Sequence, residues 1–196
     1  MLPELKTERL HLRELRPADG PRLHAFQSLE AQWQHQAVEP AEFADSTYRI
    51  RQYLKHRGPH DRRRLLVFAA IRNDNGEMIG QVSLSRSAPR VASLGFGVAE
   101  MHWSRGYASE MAARLVTFGF GYCRLHRIEA DVSITNIPCI RFLEKIGMTR
   151  EGVARDCIWA QGKWWTEAKY AMLEDDRPVG TTRPVPATAA RMVQAP

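Results

Sequence analysis

The stretch Ser93-Leu94-Gly95-Phe96-Gly97-Val98, followed by Trp103-Ser104-Arg105-Gly106-Tyr107-Ala108-Ser109-Glu110 and an apolar helical pattern through Phe118, decides the reading of this chain. It runs strand, tight turn, helix. Gly106 and Ala108 remove side-chain bulk where the backbone enters the helix, so the free N–H groups from Ser104 to Ser109 can converge on an anion. A phosphate is the natural guest: a helix start carries roughly +0.5 of an elementary charge, and converging amides hold pyrophosphate oxygens without a lysine. Many such turns only connect elements, so the turn by itself leaves both readings open. Gly95 and Gly97 weaken the strand ahead of the turn and permit a bulge or the close approach of a ligand. Met111, Leu115 and Phe118 line up along one stripe of the helix, which therefore packs on a sheet, and Gly119, Gly121 and Tyr122 mark its exit.

Working outward, His126 to Val132 alternates and places Ile128, Ala130 and Val132 on one face, so strand, helix and strand predict a right-handed parallel crossover. Asn136 is a good N-cap for the next helix, with Pro138 in its first turn and Gly147 at its C-cap. Thr149 to Trp159 and Lys163 to Leu173 are strand-like and flank the hairpin turn Gln161-Gly162. On the other side, Leu65 to Ile71 is a continuous apolar run expected of a strand buried on both faces. The turn Asn73-Asp74-Asn75-Gly76, a partner strand from Met78 to Ser85 and a third strand from about Val91 complete an antiparallel meander. Arg9 to Leu15 alternates as a half-buried strand and stops at Arg16-Pro17. Asp19 is a candidate cap for a short helix containing Leu23 and Phe26, and Phe43, Thr47, Ile50 and Leu54 suggest a second.

At 196 residues, 44% hydrophobic and 26% charged, the chain has the size of one globular domain, assigned to residues 1–176. Residues 177–196 lack periodicity and are rich in Thr, Pro and Ala, which predicts a flexible tail. No apolar run is long enough to span a bilayer and no signal-like stretch opens the chain, so a cytoplasmic protein without a membrane partner is expected. Cys123, Cys139 and Cys157 are too scattered for a disulfide framework or a zinc pair, and no metal is expected. The net charge of +6 favours anionic partners without choosing among a phosphorylated cofactor, an acidic peptide and RNA. Lys55 to Arg64, the most basic stretch, reads as a loop that is either a solvated face or a contact for an acidic substrate, RNA or the cofactor's ribose phosphate.

The turn from Trp103 to Ala108 resembles the Q/R-x-x-G-x-G/A acetyl-CoA signature of the GNAT acetyltransferases. Trp103 stands at the Q/R position, as in the ribosomal-protein N-terminal acetyltransferase (RimJ/RimL-like) subfamily. Asn136 to Met148 resembles the N-x-x-S…E-K-x-G-F element, with Cys139 in place of serine and Met148 in place of phenylalanine, and Glu151-Gly152 with Trp164 to Glu167 resembles the C-terminal hairpin. The resemblance implies an α/β (α+β) GNAT fold: a mixed, mostly antiparallel central sheet of about seven strands, with a splayed parallel pair and flanking helices. It also implies acetyl-CoA as co-substrate, held by Phe96, Gly97, Val98, Trp103, Ser104, Arg105, Gly106, Tyr107, Ala108, Ser109 and Asn136. Read from capping preference alone, Asn136 is only a cap. The helical pair near the N-terminus would wall the acceptor cleft, making Trp33, His35, Tyr48 and Tyr53 candidate substrate contacts, or ordinary packing.

Acetyl transfer to an amine needs an uncharged amine, a stabilised carbonyl oxygen and a protonated leaving thiolate. The backbone N–H groups around Phe96 to Val98 are the donors for the carbonyl that the resemblance implies. The tyrosine many family members use for the leaving group is absent, Leu143 taking its place, so Cys139 inherits the role by position; a space-filling thiol is the alternative. Glu100, His102 and Glu167 are the candidate bases. The acceptor is a protein N-terminal amine or a small molecule such as a polyamine or aminoglycoside. A non-catalytic acyl-CoA-responsive binding module is the competing class. Nucleic acid is expected only through proximity to a ribosome, and monomer and homodimer both stay open.

Overall fold

The computed structural model describes residues 2–38, 48, 50, 53–54 and 63–176. Strands β1 (Leu5–Lys6) and β2 (Leu10–Glu14) open the chain, and a 3-10 turn, Pro17–Asp19, leads into helices α1 (Gly20–Gln27) and α2 (Glu30–Trp33). A meander follows of β3 (Leu65–Arg72), β4 (Met78–Ala88) and β5 (Val91–Val98). After a second 3-10 turn, Glu100–His102, come α3 (Tyr107–Gly121), β6 (Arg127–Ser133), α4 (Ile137–Lys145) and the hairpin of β7 (Thr149–Ala160) and β8 (Lys163–Leu173).

All strands among the described residues join one eight-stranded sheet in the order β1-β2-β3-β4-β5-β6-β8-β7. Every neighbouring pair is antiparallel except β5 with β6, the pair joined through α3. The strand beyond the expected seven is β1, held only by Leu5 and Lys6 opposite Leu12 and His11, too short to show a period in sequence.

The sheet carries an apolar layer on each face. Leu66 and Phe68 of β3 face one layer with Met111, Leu115 and Phe118 of α3, while Val67 and Ala69 face the other with Leu23 and Phe26 of α1. This is the two-sided burial expected of β3. Helix α3 lies so close to the sheet that a Cβ on Gly119 would stand 3.0 Å from Ile128 Cδ1 and 3.1 Å from Leu84 Cδ1.

Two local expectations are corrected. Asp19 does not cap α1 with its side chain; its carboxylate turns back to accept from Arg16 N at 2.7 Å and from both Arg13 guanidinium nitrogens at 2.7 Å. A bidentate charged partner outcompetes a neutral helix N–H. At the end of the basic stretch, Arg63 is buried rather than solvated and pairs at 2.6 Å with Glu14, itself buried on the core-facing side of β2. Tyr48, Ile50, Tyr53 and Leu54 are helical, as the spacing of the second helix predicts; its Phe43 and Thr47, most of the basic stretch and the expected tail at 177–196 lie outside the described residues.

Candidate active site

The parallel pair β5 and β6 is joined only at Val91–Arg127, Ala92–Ile128 and Ser93–Glu129. Beyond that point β5 keeps its pairing with β4 to Val98, and β6 keeps its pairing with β8 to Ser133, so the two strands diverge and leave a gap. Ala99 donates to Ile79 O at 2.8 Å on the β4 side, whereas Val98 O accepts from Gln32 Nε2 at 2.8 Å and Trp103 Nε1 at 2.6 Å on the other. Peptide groups alternate sides along a strand, so Phe96 and Val98 turn their N–H groups toward the gap. Gly80 makes this possible from behind: a Cβ there would lie 2.3 Å from Gly97 O.

At the mouth of the gap the chain folds into a cradle of backbone amides. Ser104 (φ 59°) and Gly106 (φ 81°) are both left-handed, which turns successive amides inward, and the first helical acceptor of α3 is Gly106 O, bonded to Glu110 N at 3.1 Å. The N–H groups of Tyr107, Ala108 and Ser109 therefore precede any intrahelical partner. Trp103, standing where Q or R is usual, locks the turn onto the end of β5 through its indole N–H.

A clasp from the N-terminus holds the cradle. The Glu110 carboxylate accepts from Thr7 Oγ1 at 2.6 Å, Arg9 N at 2.8 Å and Arg9 Nε at 2.7 Å. The Arg9 guanidinium also donates to Arg105 O at 3.0 Å and lies 4.4 Å over the Tyr107 ring. Burial works to raise the Glu110 carboxyl, but the Thr7 and Arg9 hydrogen bonds overcome it and hold the group below the usual carboxylate range.

The cleft, about 800 Å³, runs from this cradle past Phe96 and Phe142, whose rings stand 4.3 Å apart, to a polar end. Asn136 caps α4 by accepting from Cys139 N at 3.1 Å, which leaves its amide nitrogen for a ligand. Burial alone pushes the Cys139 thiol up to about 12. Across the cleft, Lys169 Nζ bridges Asp131 at 2.8 Å and Glu167 at 3.0 Å. Burial works to lower this ammonium, but its hydrogen bonds to Asp131 and then Glu167 outweigh it and raise the group.

Of the residues named from sequence, Phe96, Gly97, Val98, Trp103, Ser104, Gly106, Tyr107, Ala108, Ser109, Asn136, Cys139 and Glu167 all border this one cleft, as do His35 and His102. Glu100 and Arg105 do not. Glu100 is exposed on the 3-10 turn, and Arg105 contributes its carbonyl to the Arg9 clasp. His102 is 4% exposed, edge-on to Tyr107, with no hydrogen bond at either ring nitrogen among the described residues and Glu77 Oε2 3.5 Å from Nε2. Tyr53 is committed elsewhere: its hydroxyl donates to Glu14 at 3.1 Å, and burial first, with the Glu14 charge, pushes it up to about 12. Tyr48 is exposed, and Trp33 receives the Gln161 amide on its carbonyl at 3.4 Å. Sequence reading missed Arg9, Gly80, Asp131 and Lys169; of these only Asp131 and Lys169 carried a visible signal, as charges placed on alternating strands.

A parallel pair opened ahead of an amide cradle makes a site for a thin, flexible thread ending in a diphosphate, the shape of an acyl-carrying coenzyme. The chain belongs to the acetyltransferase (GNAT) domain family, whose model matches residues 9–149, and it is an N-acetyltransferase of that family. The family uses acetyl-CoA as its acetyl donor. Among its relatives, YoaA of Bacillus subtilis, described as an uncharacterized N-acetyltransferase, is 28% identical over 89% of this chain and 98% of its own. YnaD of the same organism, described in the same words, is 36% identical over 56% of this chain and 65% of its own. A GNAT-family acetyltransferase from Bacillus anthracis superposes with a TM-score of 0.76 at 26% identity, covering 88% of this chain and 99% of that one. RimL, a ribosomal L7/L12 alpha-N-protein acetyltransferase in complex with coenzyme A, superposes with a TM-score of 0.78 at 18% identity, covering 89% and 100%, which is a likeness of fold. No described helix is long and apolar enough to cross a membrane, and no group of three or more His, Cys, Asp or Glu among the described residues could hold a metal ion.

Proposed function

We propose that this chain transfers the acetyl group of acetyl-CoA directly to a single primary amine, the N-terminal amine of a protein, within a ternary complex. The carrying observation is the gap between β5 and β6, with the Phe96 and Val98 N–H groups facing it and the Ser104–Ser109 cradle at its mouth. Acetyl-CoA supplies the activated acyl group. The cradle takes its diphosphate, and the Asn136 amide nitrogen meets the pantetheine arm. The Phe96 and Val98 amides stabilise charge developing on the carbonyl oxygen, where one such donor is worth about 2.7–4 kcal/mol. The acceptor ammonium first gives one proton to solvent. As the C–N bond forms and the C–S bond breaks, Glu167 takes the second, directly or through a water, and the sulfur leaves as a thiolate that the Cys139 S–H steadies by a hydrogen bond until solvent protonates it.

The polar end of the cleft supports an acceptor carrying one amine. Two carboxylates, Asp131 and Glu167, face one ammonium, Lys169, and together leave a single negative charge. That suits one incoming ammonium better than a polyamine. The RimL neighbour acts on a protein N-terminus, in line with this choice.

The test is a calorimetric titration with acetyl-CoA of the wild-type protein and of Gly106→Glu, followed by mass-spectrometric assay of peptide N-termini and of spermidine. Gly106 is left-handed, so a glutamate there adds backbone strain, bulk and like charge at once. Binding by wild type, loss of binding in the folded variant and acetylation of peptides over spermidine are expected. Retained affinity in the variant rejects the cradle, and a preference for spermidine rejects the acceptor.

A further inference from the structure

On the acetyl-CoA reading above, the geometry points to a second phosphate-binding element, the pair Arg141 and Lys145 on α4, which engages the 3′-phosphate of the cofactor's ribose and so distinguishes coenzyme A from its 3′-dephospho form. Pro138, Arg141, Phe142 and Lys145 all border the cleft, and their spacing of three, one and three residues makes a single helical stripe. Leu143, on another side of α4, is fully buried in the core, and Phe142 holds the stripe against β5 through its contact with Phe96. Arg141 and Lys145, four residues apart, therefore stand one above the other along the cleft wall.

Their charges are unspent. Arg9, Arg13, Arg22, Arg72, Arg127 and Lys169 each have a carboxylate partner, whereas among the described residues neither Arg141 nor Lys145 has one. The acid between them in sequence, Glu144, is turned away and accepts the buried Tyr170 hydroxyl at 3.0 Å. Lys145 could serve only to offset the carbonyl end of α4, but Arg141 sits a full turn earlier, where that effect has faded. Two cations without counterions thus flank a cleft whose mouth is already built for a diphosphate.

The two sites divide the cofactor's phosphates by chemistry. A diphosphate bridge is held well by neutral amides at a helix start. A phosphate monoester carries about −1.5 to −2 charge at neutral pH, and cationic side chains are its strong partners.

The experiment compares calorimetric affinities for coenzyme A and for 3′-dephospho-coenzyme A in wild type, in Arg141→Gln/Lys145→Gln, and in a control, Lys6→Gln/Arg155→Gln, that removes the same charge from exposed positions off the cleft. Wild type and control are expected to prefer coenzyme A by about tenfold or more, the scale of one charge-assisted contact. The cleft variant is expected to lose that preference to within about twofold while keeping its affinity for the dephospho form, which also reports that it is folded. A preference that survives in the cleft variant, or is absent in wild type, overturns the assignment while leaving the cofactor reading intact. A wild-type protein that binds neither ligand overturns both.

Discussion

A thiol attacks only as its thiolate, and burial that pushes Cys139 up to about 12 keeps it protonated at any working pH. The same shift disables Cys139 as a nucleophile and makes it too weak an acid to give its proton away, so its S–H serves as a hydrogen-bond donor to the departing sulfur, which favours direct transfer over an acetyl-cysteine step. Cys139→Ala is therefore expected to lower kcat by about tenfold or more, with the apparent affinity for acetyl-CoA nearly unchanged. Cys139→Ser restores a donor of the same shape and should recover most of that loss. Steady-state kinetics across the three proteins checks this, and an unchanged kcat in Cys139→Ala would leave the thiol as packing. Alkylation gives an independent reading: exposed Cys157 should react with iodoacetamide before half-buried Cys139. The position of Cys139 was legible because Asn136 and Pro138 mark the helix start; its ionisation was not, because its burial comes from packing against a core assembled from distant parts of the chain, which the local sequence does not name.

Among the elements, the splay of β5 from β6 is the feature on which the site depends, and sequence announced it only indirectly. Gly95 and Gly97 signal a strand where something comes close, but what approaches Gly97 is partly the neighbouring strand: Gly80 of β4 sits so near Gly97 O that no side chain fits. Periodicity shows which face a residue takes and nothing of how closely two strands pass, so Gly80 read as an ordinary strand position. Gly80→Ala is expected to cost about 1–3 kcal/mol of stability, the range for overpacking a tight site. Because the clash falls on the peptide between Gly97 and Val98, it should also weaken acetyl-CoA binding. Gly152 offers the matched control, since a Cβ there meets nothing within 4 Å. Denaturant midpoints and acetyl-CoA titrations of Gly80→Ala and Gly152→Ala separate the two positions. Entropy alone makes Gly→Ala in a strand slightly stabilising, so equal effects at the two positions would mean that the approach to Gly97 imposes no cost.

Across the whole molecule, most of the fold could be read from sequence because its elements announce themselves locally: β3 by its apolar run, α3 by its stripe, the β7–β8 hairpin by Gln161-Gly162. What stayed hidden was long-range, and the clasp is the clearest case, since Thr7 and Arg9 reach Glu110 across about a hundred residues of chain. That clasp ties the first strands to the amide turn at the start of α3 and makes the fold sensitive to acid. Glu110 and Asp19 are both held below the usual carboxylate range: burial opposes each, and hydrogen bonds from Thr7 and Arg9, and from Arg13 and Arg16, prevail. A carboxyl whose folded value is depressed contributes stability that is fully present above its unfolded value, about 4, and is lost as pH falls through the folded value. Thermal stability should therefore be level from neutral pH down to about pH 5 and decline below about pH 4. Glu110→Gln keeps the shape of the side chain and removes the charge, so it should melt below wild type at neutral pH, and the difference should shrink as acid protonates Glu110 in the wild-type protein. Melting curves of both proteins from pH 7 to pH 3 decide the matter. A gap that stays constant over the range would show that the clasp holds through shape and neutral hydrogen bonds, with the charge on Glu110 contributing nothing to the attachment of the N-terminal strands.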